Sequence, residues 1–224
     1  TRFNDLWTSK TLLTHLKERL ERASAALGGN GTIEFASVEV SGESFYTPPG
    51  PLSDLVAGAI RDVAGVEVEL STTGGTSDAR FIKDLCPVID FGPPNATMHK
   101  RDEAVALDDL ETLARITRDV RNELGVPAGR VFIAGISSGA LMSAAMAATY
   151  PDLYAAMGSV VGCGYPCGDA TGVAAWNRMG KYARRVPGFF VAGSADYLIN
   201  VAASQAGVAG WAAANDLADN GARD

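Results

Sequence analysis

The sequence predicts an α/β protein composed of two partial α/β units. Two observations lead to this prediction. Segments with apolar residues at helical spacing alternate along the chain with short runs rich in Val, Ile and Phe, which are typical of strands. Beyond residue 130 the order is strand, helix, strand, helix, which favours a parallel sheet. The length of 224 residues, of which 47% are hydrophobic, fits one large domain or two small ones.

The first predicted helix begins at Thr8 or Ser9, either of which can cap it, and it ends near Leu27 before two glycines. Its leucines recur at helical spacing and predict one apolar face. Further helices of the first half are predicted at residues 52–63, from 76 or 77 to 83, and from 107 to about 124. Strands are predicted at residues 2–6, 32–41, 66–70 and 87–91.

The second half differs in composition, with continuous apolar strands and helices rich in Ala. Helices are predicted at residues 138–149 and 203–215. A loop at residues 193–200 follows the last strand. The strands are predicted at residues 131–134, 154–161 and 186–191.

Charge and composition exclude several classes of function. The net charge of −7 argues against binding of nucleic acid, which requires a basic face. No apolar run approaches the roughly 18 residues that span a bilayer, so we expect no membrane partner. The N-terminal segment has neither an initiator Met nor the apolar core of a signal peptide, so we expect the chain to begin mid-protein.

The three cysteines do not form a disulfide framework. Cys86 lies alone in an apolar run and is predicted to be buried. Cys163 and Cys167 are close enough in sequence to pair, but we favour two small buried residues in a turn over a disulfide. Zinc binding by this pair is disfavoured, because no second ligand pair and no nearby His accompany it.

Residues 71–103 carry the first candidate site. Gly74-Gly75 allows backbone amides to approach a ligand closely, and the helix that follows offers free N–H groups to an anion. Arg80 lies one turn into this helix and is suited to bind a carboxylate through two hydrogen bonds. Asn95 and His99 lie on a loop stiffened by proline, where a neutral imidazole is suited to bind a metal ion. Each feature alone is more often a plain turn or surface residue, so the combination carries the prediction.

This combination resembles a known family. The segments GGTSDARF and FGPPNATMHKRDE, with RFN at the start and PPGPL before the second helix, are similar to the C-terminal part of the succinyl-diaminopimelate desuccinylases. These enzymes belong to the co-catalytic zinc amidohydrolases and aminoacylases. The resemblance covers residues 2–117. It implies zinc as the cofactor, with His99 as a metal ligand and Thr76, Arg80 and Asn95 as substrate contacts.

The same resemblance implies that only part of the metal site lies in this chain. The family's remaining zinc ligands and its glutamate base lie upstream of the part that this chain resembles. One histidine cannot hold two zinc ions, so we expect the metal site to be incomplete within this chain. The resemblance also implies that residues 1–45 end a lid or dimerisation domain and that residues 51–117 end a catalytic domain.

A second candidate site follows the first strand of the second half. Residues 135–139 match the pattern Gly-x-Ser-x-Gly, between an apolar strand and a helix of small residues. In this setting Ser137 is predicted to be a nucleophile on a sharp turn, with the amide of Ser138 as an oxyanion donor. Asp196, after the last strand, is predicted to be the acid of a triad. Both histidines of the chain precede Ser137, and neither is expected to act as its general base.

This second constellation resembles another family. RVFIAGISSGALMSAAMAATYPDLYAAMGSVVG and GSADYLIN are similar to the middle of esterases of the polyhydroxybutyrate-depolymerase type, over residues 120–224. The resemblance implies a parallel-sheet α/β-hydrolase fragment with a nucleophile elbow, in which Ser137 is the nucleophile and Asp196 the acid. The predicted domains are therefore a desuccinylase-like fragment at residues 1–118 and an esterase-like fragment at residues 119–224.

Three functions follow as alternatives. The leading hypothesis is a hydrolase-derived chain whose parent activity is zinc-dependent hydrolysis of N-succinyl-diaminopimelate, in lysine and diaminopimelate biosynthesis, with an incomplete site. The second is ester hydrolysis by Ser137 with a histidine from elsewhere, and the third is a non-catalytic folded or oligomerising module. We expect a small-molecule substrate if the chain is active, and a homo-oligomer is the candidate assembly. The first half is expected to be cytoplasmic, whereas an origin in a secreted protein is open for the second.

Overall fold

The structure, a computed structural model, describes residues 3–28, 33–36, 40, 42–72, 77–92, 97, 100–102 and 104–222. By its internal contacts the chain divides into two compact units, each discontinuous in sequence. The first comprises Thr1–Asp54 and Leu70–Phe91, and the second comprises Leu55–Glu69 and Gly92–Asp224. The predicted domain boundary near residue 118 rests on family resemblance rather than on contacts, and it stays a prediction.

In the first unit, helix α1 (Ser9–Ala26) confirms the first predicted helix. Thr8 and Thr11 form a capping box, in which each hydroxyl accepts a hydrogen bond from the backbone N–H of the other residue. The carboxylate of Glu43 adds a second cap from 34 residues away. It accepts hydrogen bonds from the hydroxyl and from the backbone N–H (2.8 Å) of Ser9, and these bonds lower the pKa of the Glu43 carboxyl.

The strands predicted in the first half are absent from the described residues. No strand includes the described residues of the segments 2–6, 32–41, 66–70 and 87–91. A strand forms only where a neighbouring extended segment shares its backbone hydrogen bonds, and an alternating pattern does not supply that neighbour. Helix α1 likewise buries none of its residues, so its apolar pattern predicted the helix but not its packing.

Helix α2 (Pro51–Ala64) and the short helix α3 (Ala79–Ile82) also follow the prediction. A proline at the first position of a helix loses no hydrogen bond, because that position has no acceptor for a backbone N–H. Gly65, in left-handed conformation with φ 67°, follows the last residue of α2 and ends the helix. One face of α2 is buried, and it consists of Val56, Ala59 and Ile60.

Helix α4 (Leu107–Glu123) packs against residues that follow it in the second unit. Ala114 is fully buried in a cluster with three residues from later in the chain. Arg118 forms an ion pair of 3.0 Å with Asp152, and its guanidinium also lies over the ring of Tyr150. The other buried members of the cluster are Met146, Leu153 and Tyr154.

A parallel three-stranded sheet forms the centre of the second unit and confirms the predicted α/β fold class. Its strands are β1 (Phe132–Ile136), β2 (Ala156–Val160) and β3 (Gly188–Val191), in the spatial order β1-β2-β3. All three fall within or beside the predicted strand segments. The parallel arrangement places the carboxyl ends of the strands at one edge of the sheet and their amino ends at the other.

Three helices complete the second unit: α5 (Ser138–Thr149), α6 (Val173–Met179) and α7 (Val201–Asn220). Helix α5 packs on β1 and β2, α7 packs on β3, and α6 packs on both helices. The sequence did not predict α6 or the 3-10 turn that follows it. In the described part of the chain no helix is long and apolar enough to cross a membrane. The core includes Ala144, Ala147, Ala148, Met157, Ala175, Met179, Val186, Trp211 and Ala214.

The loop after β2 is closed by a disulfide between Cys163 and Cys167. This finding corrects the favoured interpretation of two unpaired cysteines in a turn. The loop packs so closely on α7 that a Cβ on Gly207 would overlap the backbone nitrogen of Gly164, so only glycine fits there. Cys86 is exposed and not buried as predicted, because no strand forms around the apolar run that contains it.

Candidate functional site

Three of the four residues predicted to act in the first candidate site lie outside the described residues. Thr76, Asn95 and His99 belong to this part of the chain, so their predicted roles stay predictions. Among the residues that the structure describes, no three His, Cys, Asp or Glu side chains come together in a group that fits a metal ion. The zinc that the resemblance implies therefore has no ligand set in the described residues, and the predicted ligand His99 lies outside them.

Arg80 is the member of this candidate site that the structure describes. Its Nε donates a hydrogen bond to the carbonyl of Ser77 (3.0 Å). The guanidinium carbon lies 5.8 Å from the ring centre of Phe45 and 5.9 Å from that of Phe81. A Cβ on Gly42 would overlap the guanidinium, so this glycine allows the close approach. Two aromatic rings and a backbone carbonyl thus contact the Arg80 side chain, and Gly42 leaves room for its guanidinium.

The second candidate site is built on the turn between β1 and α5. Ser137 has φ 57° and ψ −121°, a strained conformation for a residue other than glycine and one that suits a sharp strand-to-helix turn. Its N–H donates to the carbonyl of Val160 on β2 (3.0 Å), and its carbonyl accepts from the N–H of Ala140 (2.9 Å). The sheet and the first turn of α5 therefore fix both sides of Ser137, which is itself exposed.

The two glycines of the turn have different roles. A Cβ on Gly135 would overlap the carbonyl of Gly139 and lie 2.8 Å from the backbone nitrogen of Ala140. A Cβ on Gly139 would meet no described atom within 4 Å outside its own helix backbone. Ser138 is the first residue of α5, where backbone N–H groups have no acceptor within the helix. Its amide is therefore suited to the predicted oxyanion role.

Asp196 lies in the loop that follows β3 and is half-buried. Its Oδ1 accepts hydrogen bonds from the N–H groups of Leu198 (2.9 Å) and Ile199 (3.0 Å), which fix the carboxylate. Ser137 follows β1 and Asp196 follows β3, so both lie at the carboxyl edge of the sheet, with the end of β2 between them. The predicted nucleophile and the predicted acid thus share one edge.

The described residues of the second unit include no histidine that could complete this pair. His15 lies on α1 in the first unit, where its ring centre is 5.0 Å from that of Trp7. His99, the other histidine of the chain, lies outside the described residues. The described part of the second unit therefore contains a predicted nucleophile, a predicted oxyanion donor and a predicted acid, but not the general base that a serine triad uses.

Two residues near the elbow were missed by the sequence analysis. Val161, directly after β2, has φ 52°, which is rare for a β-branched residue, and its N–H donates to the carbonyl of Val191 (2.7 Å). The hydroxyl of Ser159 is buried and has no hydrogen-bond partner among the described residues. Backbone strain and unpaired buried hydroxyls both occur at functional sites. Neither leaves a signal in the sequence, because Val and Ser fit an ordinary strand.

A cavity of about 710 Å³ lies at the opposite, amino edge of the sheet. Residues that precede the strands line it, among them Gly129 before β1 and Pro187 before β3. Its polar side chains are engaged in structural hydrogen bonds. Arg184 donates three hydrogen bonds of 2.6 to 2.9 Å to backbone carbonyls, and Asn215 accepts one from the N–H of Val186 (2.6 Å). We therefore assign no ligand to this cavity.

Comparison with known proteins defines the class of the first half. Residues 11–122 match the family described as peptidase family M20/M25/M40. The match covers half of the 224 residues, and the chain belongs to this family.

Several similar relatives are named succinyl-diaminopimelate desuccinylase. The relative from Paracoccus denitrificans (strain Pd 1222) is 50% identical over 121 residues, which are 53% of this chain and 30% of the relative. The relative from Rhodospirillum centenum is 51% identical over 119 residues, 53% of this chain and 29% of the relative. That from Rhizorhabdus wittichii is 63% identical over 81 residues, 36% of this chain and 22% of the relative.

The chain spans about 30% of the length of the first two of these relatives. The family match ends at residue 122. The desuccinylase resemblance of the first half is therefore supported by the comparisons, whereas the esterase resemblance of residues 120–224 is not.

Proposed function

We propose that residues 71–103 belong to a hydrolase site of the desuccinylase type, which cleaves the amide bond of N-succinyl-diaminopimelate. The observation that carries the proposal is the 50% identity over 121 residues to the Paracoccus denitrificans protein named succinyl-diaminopimelate desuccinylase. In this proposal Thr76, Arg80 and Asn95 contact the substrate, and His99 is a zinc ligand. Further ligands would have to come from outside the described residues.

The chemistry of Arg80 supports its proposed role. The substrate carries carboxylates, and a guanidinium binds a carboxylate through two parallel charge-assisted hydrogen bonds. Phe45 and Phe81 flank the guanidinium, and Ser77 accepts a hydrogen bond from its Nε. A side chain that is already held in place loses less conformational entropy when it binds a ligand.

Calorimetric titration of the 224-residue chain with N-succinyl-diaminopimelate tests this proposal. Because hydrogen bonds to charged groups contribute about 1.5–3 kcal/mol, we expect Arg80→Gln to weaken binding roughly 10- to 100-fold. Arg61→Gln is the matched control, since Arg61 is exposed and pairs with Glu67 at 3.0 Å. Far-UV circular dichroism verifies that both variants fold. Absence of binding by the folded wild-type chain, or equal losses in the two variants, would contradict the proposal.

We propose ester hydrolysis at Ser137 as a second candidate function. One observation favours it, namely the φ of 57° and ψ of −121° of Ser137 between β1 and α5. The amide of Ser138 would donate to the oxyanion, and Asp196 would be the acid. A histidine from outside the described residues would have to act as the general base.

A fluorophosphonate probe with peptide mapping by mass spectrometry tests the second candidate. Labelling is expected at Ser137 and is expected to disappear in Ser137→Ala. The matched control is Ser138→Ala, which should keep the labelling because the proposed oxyanion donor is a backbone amide and not a hydroxyl. A folded chain that is not labelled would refute the second candidate and favour the non-catalytic module.

A further inference from the structure

The disulfide between Cys163 and Cys167 joins a buried residue to an exposed one. Cys163 has an exposed fraction of 0%, whereas Cys167 lies at the surface between the exposed residues Pro166 and Gly168. In thiol–disulfide exchange a thiolate must approach one of the two sulfur atoms, so the rate depends on which of them solvent reaches. The two halves of this disulfide therefore differ in their access to a small thiol.

The buried half of the disulfide is anchored to helix α7 on both sides of Cys163. The hydroxyl of Ser204 donates a buried hydrogen bond of 2.7 Å to the carbonyl of Gly162. A Cβ on Gly207 would overlap the backbone nitrogen of Gly164 and lie 3.0 Å from the carbonyl carbon of Cys163. These contacts involve backbone and hydroxyl groups and not the sulfur atoms. Cys163 is therefore expected to stay in place when the sulfur–sulfur bond opens.

Two anchors also flank the exposed half of the disulfide. Tyr165 packs against the core cluster of the second unit, and the carbonyl of Asp169 occupies the space that a Cβ on Gly210 would require. Only residues 166–168 lie between these anchors. When the bond opens, the exposed cysteine therefore stays on a short loop beside Cys163, which keeps the effective concentration of the two sulfur atoms high.

We propose that Cys167 is a site of reversible modification by a low-molecular-weight thiol such as glutathione, and that Cys163 is the thiol that reverses it. The thiolate of the small molecule attacks Sγ of Cys167 and forms a mixed disulfide. The electron pair of the broken sulfur–sulfur bond goes to Sγ of Cys163, which takes up the proton that the attacking thiol released. In the reverse step Cys163 attacks Sγ of Cys167 and expels the small thiol. The proposal is independent of either proposed activity.

Burial of Cys163 determines both the position and the rate of the exchange. An attacking thiolate cannot approach a sulfur atom that the protein encloses, so Cys163 is not attacked. As the leaving group, Cys163 receives a negative charge inside the protein, where it loses the hydration that would stabilise it in water. We therefore expect exchange at Cys167 alone, at the slow end of the seconds-to-hours range of disulfide reshuffling.

Incubation of the folded full chain with reduced glutathione tests the proposal. The chain carries Cys86→Ser, so that only the two cysteines of the disulfide can react. Acid quenches the exchange, and digestion at low pH with tandem mass spectrometry locates the adduct. We expect glutathione on Cys167 and a free thiol on Cys163, in at least ~10-fold excess over the opposite isomer.

Two single-cysteine variants separate access from intrinsic reactivity. In the Cys86→Ser chain, Cys163→Ser leaves the exposed cysteine and Cys167→Ser leaves the buried one. With glutathione disulfide as the reagent, we expect Cys167 to be modified at least ~10-fold faster than Cys163 in chains that circular dichroism shows to be folded. In urea the two rates should agree within about threefold, because unfolding gives both cysteines the same access.

Three outcomes would overturn the proposal. The first is an adduct on Cys163 of the folded chain, and the second is equal rates for the two folded single-cysteine variants. The third is a folded chain that forms no adduct under conditions in which the urea-unfolded chain is modified.

Discussion

The carbonyl of Gly139 occupies the space that a Cβ on Gly135 would require, so β1 and the first turn of α5 are in backbone contact across the elbow. This contact allows the chain to turn sharply at Ser137, whose N–H and carbonyl are both hydrogen-bonded. The elbow is therefore a property of the packing of this chain, whatever chemistry it performs.

We predict that Gly135→Ala lowers the free energy of unfolding by about 1–3 kcal/mol, because the added methyl group forces β1 and α5 apart. The control is Gly139→Ala, where the described structure leaves room for a Cβ and where Ala favours the helix. Urea unfolding followed by circular dichroism measures both variants. Equal stability of Gly135→Ala and the wild type would show that the contact is not as close as described.

The packing of α4 makes a second prediction. Ala114 lies within the family match, whereas Met146, in the same buried cluster, lies beyond it. Ala114→Leu should cost about 1–3 kcal/mol through overpacking. Met146→Ala should cost about 2–5 kcal/mol through the cavity that it leaves. Urea unfolding of the wild type, both single variants and the double variant measures the coupling between the two residues. If they share one core, the loss of unfolding free energy in the double variant is smaller than the sum of the two single losses by at least ~0.5 kcal/mol. Strict additivity would contradict a shared core.

The pH dependence of stability supplies a third prediction. Burial raises the pKa of the Tyr154 phenol above its usual value of 10.0, because the buried phenolate would lose its hydration. Unfolded Tyr154 therefore releases its proton at lower pH than folded Tyr154. Its contribution to stability is complete below pH 10 and is lost as the pH rises through the folded pKa.

Unfolding free energies of the wild type and Tyr154→Phe between about pH 8 and 11.5 test this prediction. As the pH rises, the free energy of unfolding of Tyr154→Phe should fall less steeply than that of the wild type. The difference in slope should correspond to up to one proton per chain. Tyr197→Phe, at a residue that is 89% exposed, controls for the loss of a hydroxyl without the loss of a buried contact. Parallel alkaline declines of Tyr154→Phe and the wild type would contradict the assignment to Tyr154.

The disulfide makes a fourth prediction. Cys163 and Cys167 close a loop of five residues that packs on α7. Chain-entropy arguments give a loop of this size a stabilisation of about 2 kcal/mol. A dithiol reductant, or the double variant Cys163→Ser/Cys167→Ser, should lower the free energy of unfolding by about this amount. Cys86→Ser is the control, because Cys86 is unpaired and exposed. If the reductant lowers the free energy of unfolding of the double variant as much as that of the wild type, the disulfide is not the cause of the loss.

The fold was predictable from the sequence where the signals are local. The bounds of α5 follow from a strand, two glycines and a terminal Tyr-Pro, and the common edge of Ser137 and Asp196 follows from strand order. Long-range contacts were not predictable. Glu43 caps α1 from 34 residues away. The strands predicted in the first half do not form among its described residues, because a strand needs a paired neighbour that a single segment cannot reveal. Helix α6, with seven residues, is too short for a periodic pattern.

In the two candidate sites as well, local features were predictable from the sequence and long-range contacts were not. The pattern Gly-x-Ser-x-Gly predicted a strained turn at Ser137, and the structure has it. The sequence could not predict that the ring of Phe45 lies beside the guanidinium of Arg80, because these residues are 35 positions apart in the chain. The disulfide was misjudged because the spacing of two cysteines is compatible with either state.

The central claim, that residues 71–103 carry one ligand of a zinc hydrolase site in His99, is tested most directly by native mass spectrometry of the 224-residue chain during zinc titration. The account predicts one zinc ion per chain, bound by the wild type and by His15→Ala but not by His99→Ala. Since His15 and His99 are the two histidines of the chain, the pair of variants is a matched comparison. Two tightly bound zinc ions per chain, no zinc binding by the wild type, or zinc binding that survives His99→Ala would contradict it.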